Sequence, residues 1–143
     1  MTEVTEVYVD VAAASMEQGA EPGGGVRAAE PEAIRALRYL AESGIRVVLV
    51  TTDGIRPDAD LRAIAAEVVG AVPPRPREPS WYLTNEIERC QGASARLRTV
   101  LIGAAPPSGS VRRCDAVARD VQAAAMEILA AVAMPPRSSA NPA

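Results

Sequence analysis

A chain of 143 residues with 48% hydrophobic and 23% charged residues has the bulk for one globular domain whose core needs neither disulfides nor a metal. Its net charge of −3 argues against a binder of nucleic acid or anionic membrane working by bulk charge, and no apolar run approaches the roughly 20 residues of a membrane span. Histidine is absent, and Cys90 and Cys114 alone cannot complete a four-ligand zinc site.

With 3% aromatic residues and no Phe, the core must come from Val, Ile, Leu and much Ala. The N-terminus MTEVTEVYVD lacks the basic flank and apolar segment of a secretory signal, so the expected location is cytoplasmic. In that setting Cys90 and Cys114 read as buried structural thiols.

Residues 4 to 10 carry Val4, Val7 and Val9 and read as a first strand ending at Asp10. Residues 12 to 29 show no sustained period and include GGG at 23 to 25, so they read as a long loop. That GGG is weak as a phosphate cradle, because it neither directly follows a strand nor opens a helix. Glu30 and Pro31 then open a helix with Ala33, Ile34, Leu37, Leu40 and Ala41 at helical spacing, stopped by Gly44. Arg46 to Thr51 is a continuous apolar run ending on threonine, the second strand.

Asp58 is placed to cap a helix with a stripe of Leu61, Ile64, Ala65 and Val68, ended by Gly70. VPPRPREP, residues 72 to 79, holds four prolines and reads as an extended linker. Trp81 to Thr84 is a short third strand, and Asn85 with Glu88 has capping-box spacing for a short helix toward Gly92. Arg98 to Gly103 is a fourth strand; a Pro-rich loop, AAPPSGS, leads to a last helix from Asp115 to about Met134. Residues 1–134 are thus expected to form a single domain, with 135–143 a disordered tail.

Strand and helix alternate throughout, the pattern of a three-layer α/β/α, Rossmann-like, doubly wound and mainly parallel sheet. Ligands of such sheets sit at the carboxyl ends of the strands, here Asp10, Thr51 with Thr52, Thr84 with Asn85, and Gly103. The last helix is apolar or small around most of its circumference. One side must cover the sheet; the other could meet a protein partner or a second copy, or simply tuck against the body.

The order VYVDVAAAS, PEAIRALRYLAESGIRVVLVTT, PRPREP, WYLTNE and LRTVLIG resembles the haloacid dehalogenase (HAD) superfamily, in its compact capless form. The resemblance runs from about Val7 to Leu129 and is carried by order and spacing. It implies Asp10 as the nucleophile position, Thr51 as the hydroxyl after strand two, and Arg75 as the basic residue before the third core strand. It also implies magnesium, for which Asp10 and Glu86 would be the ligands.

Three departures from the pattern stand out. Ala12 occupies the place of the general acid, and a methyl group cannot protonate a leaving group. Ala13 and Ala14 replace the following Gly-Thr, and Asn85 stands where an acidic magnesium ligand is usual. Two functions follow. The first is a degenerate HAD-like protein, a non-catalytic binding, scaffold or regulatory subunit with no cofactor. The second is an active magnesium-dependent hydrolase using Asp10 as nucleophile, Thr51 and Arg75 to steady charge, and Glu86 to recruit the metal.

Overall fold

The computed structural model describes residues 5–16, 25–51, 54–73, 80–91, 97–103 and 114–133. Six parallel strands form the main sheet: β1 (Glu6–Asp10), β3 (Arg46–Val50), β5 (Glu67–Val69), β6 (Ser80–Thr84), β7 (Leu97–Ile102) and β8 (Ala116–Ala118). Their order is β5-β3-β1-β6-β7-β8, so the chain moves outward from β1 to one edge, returns, and builds the other half from β6. The reversal falls between β1 and β6, which pair in parallel from Glu6↔Ser80 to Val9↔Leu83. Both strands are buried along their whole length, as central strands of a sheet covered on two faces must be.

One face carries Val7, Val9, Val47, Leu49, Leu83 and Val100 into the main core. Over it lie α2 (Pro31–Glu42), whose Leu37 and Leu40 are fully buried, and α5 (Val121–Ala133), which presents Ala124, Ala125 and Ile128. Alanine where the helices meet permits the close approach that the composition demanded. The opposite face bears Tyr8, Val48, Val50, Tyr82 and Leu97, with α4 (Ile87–Gln91) placing Cys90 beside Leu101 and Cys114.

Five short elements differ from the sequence reading. Within the expected loop, Val11–Ala14 forms a single helical turn, α1, and Gly25–Arg27 forms β2, paired in parallel with β4 (Ile55–Pro57) as a separate small sheet. The partner of β2 lies far along the chain, so local pattern carries no sign of it. The two sides of the loop also close on each other, with Met16 N donating to Ala28 O at 2.8 Å and Glu30 N to Ala14 O at 2.9 Å.

Asp58 caps α3 (Ala59–Ile64) by accepting from Leu61 N at 3.0 Å, as expected, but the helix stops there. Residues 67–69 leave the predicted stripe to pair with β3, because an edge position is open there and Val68 and Val69 suit it. In the same way the predicted start of the last helix becomes β8. The Asp115 carboxylate accepts from Thr99 N at 2.7 Å, which fixes the segment beside β7, and Asp120 then caps α5 through Ala123 N at 2.8 Å.

The two cysteines are corrected as well. They form a disulfide, Cys90–Cys114, with Cα atoms 5.2 Å apart. Their separation of 24 residues hid this, since only the parallel placement of β6, β7 and β8 brings the end of α4 to the entry of β8. Residues 74–79, 104–113 and 134–143, hence the rest of the Pro-rich linker, the AAPPSGS loop and the expected tail, lie outside the described residues. No helix among the described residues is long and apolar enough to cross a membrane.

Candidate active site

Parallel pairing puts Asp10, the last residue of β1, next to Thr84, the last of β6, at the point where the strand order reverses. In open α/β sheets this crevice is where ligands bind. Residues two apart on a strand share a face, so Tyr82 and Thr84 both point to the side on which Asp10 stands. Tyr82 Oη donates to Asp10 Oδ1 at 2.7 Å and Thr84 Oγ1 donates to Asp10 Oδ2 at 2.6 Å.

A guanidinium completes the setting. Arg89, on α4, brings Nε to 3.6 Å from Asp10 Oδ2 and also to 3.6 Å from Glu86 Oε1. The turn that delivers it is organised by Thr84, whose hydroxyl oxygen accepts from Glu86 N at 3.1 Å while donating to Asp10. The hydroxyl of Thr84 therefore fixes both the carboxylate and the start of α4.

Asp10 is only 1% exposed. Burial pushes its carboxyl above the ordinary value of 3.8, and the Thr84 and Tyr82 hydroxyls and the Arg89 charge pull the other way without cancelling it. The Tyr82 hydroxyl is raised well beyond the usual phenol range, by burial first and then by the charge and hydrogen bond of Asp10.

Thr51 lies one residue beyond β3, half-buried, with its hydroxyl donating to Val69 O at 3.3 Å and its backbone N to the same oxygen at 2.9 Å. It lines a separate hollow with Arg56 and Arg62. Arg75 is outside the described residues. Glu86 is near Asp10 through Arg89, and its own side chain is 40% exposed. Sequence reasoning missed Tyr82, Thr84 and Arg89 as partners of Asp10. The alternation of Tyr82 and Thr84 ahead of a helix carrying Arg89 was the available signal.

Among the described residues, the donors around Asp10 do not fit magnesium. A hard cation asks for carboxylate oxygens that face open space shared with water or phosphate. Here each Asp10 oxygen accepts a protein hydroxyl, and the cation between Asp10 and Glu86 is a guanidinium. Among the described residues no group of three or more His, Cys, Asp or Glu converges as a metal site.

No protein-family model and no curated protein matches the chain. Solved structures do. D,D-heptose 1,7-bisphosphate phosphatase from Burkholderia thailandensis superposes with a TM-score of 0.56 at 16% identity, covering 87% of this chain and 98% of that one. The enzyme of the same name from B. bronchiseptica, complexed with magnesium and phosphate, gives 0.58 at 14% identity, covering 90% and 99%. These are HAD phosphatases, and the chain has the HAD-like, Rossmann-like fold that its element order implied.

Proposed function

We propose that this chain is a degenerate HAD-like protein, a non-catalytic binding, scaffold or regulatory subunit built on a phosphatase frame. One observation carries the reading: the Asp10 carboxylate is 1% exposed and bound on both oxygens by Tyr82 and Thr84, with Arg89 beside it. An attacking carboxylate must present a free oxygen to the phosphorus within near-contact distance. Here both oxygens are enclosed, so reaching either one means opening the protein around Asp10. Ala12, where the resemblance implies the general acid, supports the same reading, since nothing at that position can protonate a leaving oxygen.

The test is phosphate release from D,D-heptose 1,7-bisphosphate and from p-nitrophenyl phosphate with magnesium, wild type against Asp10→Asn. We expect no magnesium-dependent turnover that the substitution removes. Turnover that needs magnesium and disappears in Asp10→Asn would establish the alternative, a working hydrolase with Asp10 as nucleophile. The cytoplasmic location is tested separately by thiol counting on protein trapped in its own host. Two free thiols fit a reducing cytoplasm, whereas an intact Cys90–Cys114 bond fits an oxidising compartment.

A further inference from the structure

On the surface away from Asp10, α2 and α5 leave between them a groove of about 380 Å³. Its apolar lining is Ala36 and Tyr39 from α2 and Ala125, Met126 and Leu129 from α5, and charged side chains of α2 with Gln122 of α5 make up the rest. Tyr39 is 57% exposed and Met126 62%. Single exposed apolar residues are ordinary, but here an aromatic ring and a thioether stand together over small alanines that let another surface come close.

Charge says what that surface is. Arg35 and Glu42 lie on the same exposed stripe of α2, seven residues or roughly 10 Å apart, with Tyr39 half a residue from their midpoint. Neither makes an ion pair among the described residues. Read along the helix, the stripe is cation, aromatic ring, anion. A two-fold axis through its centre lays a second α2 antiparallel on the first, which puts Arg35 of each copy against Glu42 of the other and Tyr39 against Tyr39. Glu32 and Arg38 line the same groove. Arg38 lies as close to the midpoint as Tyr39, on the other side of the Arg35–Glu42 line, so the same axis also brings Arg38 near its own copy, one like-charge contact against two opposite-charge pairs.

We propose that this face is the interface of a symmetric homodimer, closed by two reciprocal Arg35–Glu42 pairs around a centre of Tyr39 and Met126. An aromatic–aromatic contact flanked by methionine sulfur is a favourable centre, and the ion pairs set register and direction more than strength. The inference is independent of whether Asp10 retains any chemistry, since the groove shares no residue with that site.

The experiment is sedimentation velocity of the full chain over concentrations reaching ~0.5 mM, which covers dissociation constants from micromolar upward. Wild type is expected to show a reversible monomer–dimer equilibrium. Arg35→Glu and Glu42→Arg should each weaken it by about tenfold or more, because like charges then face each other twice. The double variant Arg35→Glu/Glu42→Arg should recover to within about threefold of wild type, since swapped pairs restore the attraction. Three results overturn the proposal: a monomer throughout the range, a dimer indifferent to both single substitutions, or a double variant no tighter than the singles. All these side chains are exposed on α2, and circular dichroism melts confirm that each variant is folded. If one single variant fails to fold, the comparison of double variant with the other single decides.

Discussion

Strand β1 carries two buried carboxylates on one face, Glu6 at its start and Asp10 at its end, and they are served by similar groups in different ways. Each accepts from a tyrosine: Tyr8 Oη donates to Glu6 Oε1 at 2.8 Å, Tyr82 Oη to Asp10 Oδ1 at 2.7 Å. Each faces an arginine. Arg46 closes on Glu6 Oε2 at 2.9 Å and reaches Glu67 at 3.0 Å, tying β1 to β3 and the edge strand β5. Arg89 stands off Asp10 at 3.6 Å, and a second hydroxyl, from Thr84, takes the close contact instead. At the amino end of the sheet an ion pair in contact with water acts as a tether. At the carboxyl end an enclosed carboxylate takes its close contacts from neutral donors.

Removing each acid is the strongest way to break this comparison. Asp10→Ala leaves two buried hydroxyls without their acceptor and should cost about 3 kcal/mol in urea unfolding. Glu6→Ala should cost less, about 2 kcal/mol, because Arg46 is 37% exposed and turns to Glu67 and water. Equal losses would mean that Asp10 is no more enclosed than Glu6. The phenols give a finer measure: Tyr82→Phe should cost about 1.5 kcal/mol and Tyr8→Phe about 1 kcal/mol, since Glu6 keeps Arg46 while Asp10 Oδ1 has no comparable substitute.

The smallest and most specific signal is in pH. A carboxyl whose folded value lies above 3.8 binds protons more readily in the folded state, so its penalty is absent below 3.8 and fully developed above the folded value. Across that window the wild type should lose stability with rising pH relative to Asp10→Asn, which cannot ionise there. Chemical denaturation of both proteins between pH 3 and 8 checks it; a difference that does not change with pH, or that moves the other way, sinks the assignment of burial as the dominant influence on Asp10. The phenol of Tyr8, pushed up to about 12 by burial and then by Glu6, should stay protonated throughout that range.

The central strands were legible because a strand buried on both faces writes itself as an unbroken apolar run; Val47 to Val50 is the clearest case. Helix α2 was equally clear, with Pro31 at its start and the positive-φ Gly44 beyond its end. The strands that escaped are three residues long, and their form is chosen by a distant partner: Ala116–Ala118 would be helix by propensity and is strand because Thr99 and Asp115 hold it to β7. The same asymmetry governs the site. Asp10 could be read from its place at a strand end, but Tyr82 and Thr84 looked like ordinary strand residues until β6 was known to lie beside β1.

The Cys90–Cys114 bond also sets how the molecule would carry a mechanical load. It closes a ring that contains all of β7, and tension applied along the chain would cross from one sulfur to the other without entering that strand. With a separation of 24 residues, on the order of 85 Å of contour stays hidden from a stretching force until the bond is reduced. The force enters the ring one residue from Arg89, so under load the helix turn that faces Asp10 bears the pull while β7 is shielded from it.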